Sequence, residues 1–143
     1  MAAIHSIFQD EKEIISIDIF GSIRKWQIET GKFSISAALD QESNVFGAVV
    51  SNEKIFISFL DRIDIFSVTD FSRISAIETD TPGLIKSTSK ELILGTSNIW
   101  FSYDLDTLSE KTSRPGNIRF ILLIIIVKEI LKRAKKLGIV TSN

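Results

Sequence analysis

Apolar and polar positions alternate in short runs along the first 112 residues, and each run is closed by a turn rich in Gly, Ser, Asn, Asp or Thr. Alternation with period two marks a half-buried strand, whereas a helix repeats its apolar positions roughly every three to four residues. Residues 13–20 show the pattern plainly: Ile15, Ile17 and Ile19 lie on one side and Ser16, Asp18 and Phe20 on the other, as in a strand with one better-buried face. Strands are predicted at 4–9, 13–20, 23–29 and 33–39, with turns at Gly21-Ser22 and Thr30-Gly31-Lys32 and a polar loop at 40–44. In the third strand Ile23 and Lys25 share a face, with Arg24, Trp26 and Ile28 opposite.

The same order then returns twice. A second round predicts strands at 45–50, 55–60, 63–68 and 73–77, with turns at Ser51-Asn52-Glu53-Lys54, at Asp61-Arg62 and at 69–72. After a break at Asp80-Thr81-Pro82-Gly83 a third round predicts 84–87, 91–95, 99–105 and a polar last strand near 109–112. An aromatic marks each third strand: Trp26, Phe66 and Tyr103, spaced by 40 and 37 residues. A period near 40 with four strands per unit is the mark of a propeller blade. The third copy holds one extra residue between its turn and Tyr103, and a slip of one residue would exchange its two faces.

A fourth round opens at Arg114-Pro115-Gly116, after which residues 117–122 read as the first strand of a further blade or as the start of a helix. From Lys128 the pattern is helical: Ile130, Leu131, Ala134 and Leu137 share one face, bases take the other, and lysines precede Gly138. The predicted class is all-β. Three four-stranded antiparallel blades, at about 4–42, 45–80 and 83–114, fill a unit 1–116, and 117–143 adds an apolar strand or helix start and a short basic amphipathic helix.

Residues 4–112 resemble the WD-repeat β-propeller proteins. The apolar second strand at 13–19, the Gly21-Ser22 turn, Ile23 and Trp26 in the third strand and the Thr30-Gly31-Lys32 turn carry the similarity. His5 stands where the family often places a histidine, without the usual glycine before it. The name-giving Trp-Asp pair is replaced by Trp26-Gln27, Phe66-Ser67 and Tyr103-Asp104, so the family's Asp-His-Ser-Trp hydrogen-bond network is not implied in full. The resemblance implies a non-catalytic scaffold for protein–protein interaction, with binding residues in turns and edges: Ser22, Arg24, Arg62 and Asn98. Propellers close with about four to eight blades, so three imply self-association, a partner that completes the ring, or a fragment of a longer protein.

Composition and charge sharpen two points. The 143 residues are 44% hydrophobic and 24% charged with a mean hydropathy of +0.20, which is a globular and not a disordered composition. There is no cysteine and no basic-then-apolar leader, which reads as an intracellular protein, cytoplasmic or nuclear, without disulfides or thiolate chemistry. The net charge of −1 hides an asymmetry: residues 1–110 carry 17 acids and 9 bases, residues 111–143 carry 1 acid and 8 bases. Lys128, Lys132, Arg133, Lys135 and Lys136 therefore form a candidate contact for an anionic membrane surface or nucleic acid, the alternative adaptor reading. Residues 118–127 hold a single charge, Arg119, but fall short of the roughly 20 apolar residues that span a bilayer.

Candidate chemistry is sparse. His5 is the only histidine, and Asp61, Asp64, Asp70, Asp104 and Asp106 sit in turns or at strand ends without the spacing of a cation loop. Trp26 and Trp100 read as blade-packing residues, and Ser22, Ser51 and Ser97 lack the context of a nucleophile elbow. No catalytic residue, cofactor, metal or small-molecule substrate is expected.

Overall fold

The computed structural model describes residues 4–37, 44–79 and 83–139. Its strands are β1 (Ile4–Gln9), β2 (Glu13–Asp18), β3 (Ile23–Gln27), β4 (Phe33–Ala37), β5 (Gly47–Ser51), β6 (Lys54–Ser58), β7 (Arg62–Ser67), β8 (Arg73–Glu78), β9 (Leu84–Ser87), β10 (Glu91–Gly95), β11 (Ile99–Asp104) and β12 (Glu110–Pro115), followed by helix α1 (Ile118–Lys136). They form three four-stranded antiparallel sheets, each in chain order: β1-β2-β3-β4, β5-β6-β7-β8 and β9-β10-β11-β12. This is the all-β, three-blade architecture expected of a partial propeller. The polar loop predicted at 40–44 lies outside the described residues up to position 43, as do residues 80–82 of the predicted break.

The three sheets are copies down to individual hydrogen bonds. Gly31 N–H donates to Gln27 C=O, Phe71 N–H to Ser67 C=O and Leu108 N–H to Asp104 C=O, at 2.9, 3.0 and 2.8 Å. Each donor closes the turn between third and fourth strands with a positive φ, of 67°, 60° and 61°. Glycine accepts that conformation freely, whereas Phe71 and Leu108 adopt it at a cost of about 1–2 kcal/mol. Burial of Phe71 in the core and half-burial of Leu108 offset the cost. A register shift recurs between third and fourth strands, at Lys25/Trp26, Ile65/Phe66 and Ser102/Tyr103. Cross-strand partners settle the third register as well: Trp26 faces Ile14, Phe66 faces Ile55 and Tyr103 faces Leu92, so the three aromatics are equivalent.

Adjacent blades pack face to face. Between blades 1 and 2, Ile15, Ile17 and Ile23 meet Ile55, Ile57, Phe59 and Phe66. Between blades 2 and 3, Phe56, Ile63 and Ile65 meet Leu92, Leu94 and Tyr103. Blade 2 thus buries both faces, which is why β6 reads as an almost unbroken apolar run (Lys-Ile-Phe-Ile-Ser). Each such side chain contributes about 1.5–3 kcal/mol on full burial. The first strands are innermost, with β1 beside β5 and β5 beside β9, whereas β4, β8 and β12 are outermost and largely exposed. In β2 Ser16 and Asp18 are covered as fully as Ile15, whereas Ile14 on their face is half-buried.

The chain after β12 decides between the two readings of residues 117–122, strand or helix start, in favour of the helix. These residues enter a helix that starts at Ile118, ten residues before the helical periodicity becomes legible at Lys128. Asn117 caps it, its side-chain oxygen accepting the Arg119 N–H at 2.9 Å, and Pro115 ends β12 just before. Ile118 is buried against blade 3: its N–H donates to Thr96 C=O at 2.8 Å, and its Cβ lies 3.0 Å from where a side chain on Gly95 would begin. Ile121, Leu122 and Ile125 continue that side at helical spacing and are half-covered, whereas most of the remaining helix is exposed. No helix among the described residues is long and apolar enough to cross a membrane.

Candidate protein-interaction surface

Antiparallel order puts the turns β2–β3, β6–β7 and β10–β11 at the same end of their sheets. Ser22, Arg62 and Asn98 therefore sit at or beside the corresponding turns of three successive blades. Ser22 is half-buried, its N–H donating to Asp18 Oδ1 at 3.0 Å and its carbonyl accepting from Asp18 N–H at 3.1 Å, so the turn is pinned by Asp18. Asn98 is exposed, with its N–H donating to Thr96 Oγ1 at 3.2 Å. Arg24, near the start of β3, is half-buried on the face turned away from blade 2.

Arg62 is held by its own chain. Its Nε donates to both Asp64 oxygens at 3.1 and 3.2 Å, its Nη1 to Asp61 Oδ1 at 3.0 Å, and its guanidinium stacks 4.9 Å from the Phe59 ring centroid. Arg73 adds a 3.0 Å contact to Asp64, which is buried. Burial works against the Arg62 cation, but the Asp64 charge and hydrogen bonds outweigh it and raise its pKa. This cluster ties the start of β7 to β8, and Arg62 reaches the surface as part of it.

Beside Asn98 the same end carries a groove of about 470 Å³, lined chiefly by Phe46, Leu84, Thr96, Ser97, Ile118 and Arg119. Phe46 and Leu84 are exposed large apolar side chains, on the connection into β5 and at the start of β9. The groove brings together the β10–β11 turn and the start of α1, a juxtaposition that needs the helix to begin at Ile118. The five bases Lys128, Lys132, Arg133, Lys135 and Lys136 are all exposed further along α1.

Two other polar features serve the blades themselves. Lys25 is only 6% exposed at the interface of blades 1 and 2, where its ammonium donates to Val68 C=O at 2.6 Å, lies 3.7 Å from Glu13 and stands 5.4 Å from the Phe71 ring centroid. Its sequence position on the Ile23 face fits, but the partner carbonyl comes from a different blade 43 residues away. Trp26 Nε1 donates to the buried Ser16 Oγ at 2.8 Å, and its ring meets Phe33 edge-on at 5.5 Å. The tryptophan–serine arm of the family network is therefore present in blade 1. By register, blades 2 and 3 replace Ser16 with Ile57 and Leu94, so there the aromatic packs on an apolar side chain. Burial raises the Tyr103 pKa, helped by Glu110 and opposed by a hydrogen bond to Thr79. Among the described residues no group of three or more His, Asp or Glu is placed to hold a metal ion. His5 lies exposed in β1.

Solved structures place this geometry among WD40 propellers. The chain superposes on the structure of U3-55K and on the crystal structure of RRP9 WD40 repeats, each with a TM-score of 0.69 and 14% identity over 81% of this chain. A computationally designed protein, Ika8, matches with a TM-score of 0.62 and 10% identity over 75% of this chain. The fold is thus that of a partial WD40-type β-propeller. The chain spans about two-fifths of the first two structures, 40% and 39% of their lengths. No protein-family model and no curated protein matches the sequence.

Proposed function

We propose that this chain is a non-catalytic scaffold for protein–protein interaction, which binds through the end of the arc that carries Ser22, Arg24, Arg62 and Asn98. The groove beside Asn98 carries the reading: two large apolar side chains, Phe46 and Leu84, are exposed there between rigid strand ends and the polar Ser97 and Arg119. Exposed apolar residues grouped in a concave site with a polar rim are the usual anatomy of a protein contact. The likeness to WD40 structures supports the same class of role. Affinity capture from cell extract with wild type beside F46D/L84D and R24E/N98K tests it. At least one protein held by wild type and lost from the variants is expected, and identical sets would overturn the reading.

A second reading rests on the exposure of all five α1 bases. In it, Lys128, Lys132, Arg133, Lys135 and Lys136 hold the chain on an anionic membrane surface or on nucleic acid. Its mark is binding to anionic vesicles or duplex DNA that weakens with salt and is lost when these bases are changed to glutamine.

A further inference from the structure

Two apolar surfaces stay uncovered at opposite flanks of the arc. One is the face of blade 1 turned away from blade 2, where Ile7 and Phe33 are 63% and 56% exposed beside half-covered Ile14 and Trp26. The other is a stripe on α1: Leu123, Ile124, Val127, Ile130 and Leu131, each 45–59% exposed. At about 100° per residue this stripe lies opposite the side of the helix that holds Ile118, buried against blade 3, and the half-covered Ile121, Leu122 and Ile125. The first half of α1 is apolar on both sides, and its own chain buries Ile118 fully and leaves Ile121, Leu122 and Ile125 half-covered.

We infer that the stripe seats on the blade 1 flank of a second copy, so that α1 lies between blade 3 of its own chain and blade 1 of the other. Blade 2 separates the two surfaces within one chain, so they are satisfied between chains, and a two-fold axis makes the exchange reciprocal and closed. Six blades with two intervening helices then leave neither flank in water.

Charge selects this occupant over a membrane. The β1–β2 and β3–β4 turns at one end of the blade 1 flank hold Asp10, Glu11, Glu13 and Glu29 against Lys12 and Lys32. Glu13 is already paired with Lys25 and Gln27, Asp10 accepts the backbone N–H groups of Lys12 and Glu13, and Glu11 and Glu29 are further exposed acids of the rim. The 19 residues of α1 extend about 28 Å, whereas the 5 residues of β3 extend about 17 Å. A helix whose apolar first half covers the sheet therefore carries its basic second half past the strand ends, to these turns. Lys128 and Lys135 flank the stripe, roughly 80–100° from Val127 around the helix. At the scale of the whole chain the same complementarity sets a body with 17 acids and 9 bases against a tail with 1 and 8.

Sedimentation equilibrium of the full chain over micromolar concentrations tests the inference. Wild type is expected at twice 16.0 kDa. I7K on the flank, and L123K or I130K on the stripe, change residues already exposed in the single chain; each should weaken the dimer about tenfold or more while leaving the folded circular dichroism spectrum unchanged. K128E/K135E should weaken it at low salt, and adding E11K/E29K to the same chain should restore it. A monomeric wild type overturns the inference, as does a dimer that I7K leaves intact while L123K breaks it, since helices would then pair with each other. A monomer that co-sediments with anionic vesicles through the stripe also overturns it and assigns α1 to a membrane. Capture at the Phe46–Leu84 groove is read separately, so either result leaves the scaffold reading to its own test.

Discussion

Replacing Lys25 by alanine removes a cation that ties blades 1 and 2 together and opens a gap where its stem runs. The Val68 carbonyl, which now accepts at 2.6 Å, would lose its donor in a site where Lys25 is 6% exposed, at a cost of about 1–3 kcal/mol. The change also deletes about three buried methylenes, worth about 0.8 kcal/mol each. Together these put Lys25→Ala about 3–5 kcal/mol below wild type. Lys25→Met keeps the stem and loses only the polar partner, so it should cost about 1–3 kcal/mol. The sheet accepts an apolar side chain at this point: Ile65, at the matching register in blade 2, is fully buried. Urea unfolding followed by the fluorescence of Trp26 and Trp100 reads both values. If Lys25→Ala unfolds within about 0.5 kcal/mol of wild type, the cross-blade tie has no energetic weight and Lys25 does not hold blades 1 and 2 together.

Further outcomes follow from the same contacts. Trp26 is half-buried, so Trp26→Ala should cost on the order of 2–3 kcal/mol, below the about 3–5 of a fully buried tryptophan, as read by the same unfolding curves. Trp26→Phe and Ser16→Ala should each cost about 0.5–1.5 kcal/mol and the double variant no more than either, which a double-mutant cycle resolves. A methyl group on Gly95 would stand 2.7 Å from Ile99 C=O and 2.8 Å from Trp100 Cβ, so Gly95→Ala should destabilise by about 1–3 kcal/mol and speed amide exchange in the first turn of α1. Backbone hydrogen bonds hold Asp10 and Asp104, and bonds from Ser72 hold Asp70, below the ordinary carboxylate pKa. With folded pKa values depressed, their stabilisation is present above the unfolded value of about 3.9 and is lost as pH falls through the folded values, so thermal melts should drop below about pH 4 and drop less in D10N/D70N/D104N.

The blades were legible because each strand carries its own evidence. Period-two alternation, Gly21, Gly31 and the polar turns locate the strands, and the spacing of Trp26, Phe66 and Tyr103 aligns the copies. Ile118–Val127 was ambiguous because a short run of isoleucine and leucine suits a buried strand and a buried helix equally. The deciding signals, Pro115 ahead and Asn117 as cap, were local and present, but β-branched composition pointed the other way. Lys25 was invisible for a different reason: alternation assigns it a face but cannot supply the carbonyl of Val68 from the next blade. The Arg62–Asp64 pair could have been found, since residues two apart on a strand share a face. The groove beside Asn98 could not, because it exists only once α1 starts against Gly95 and Thr96.

Amide hydrogen exchange, read strand by strand, tests the three-blade arc most directly. The same gradient is expected in every sheet, slow in the second and third strands and fast in the outermost β4, β8 and β12, with β6 and β7 of the central blade slowest of all. Protection in β8 equal to that in β6, or a gradient seen in one sheet and absent from the other two, would contradict it.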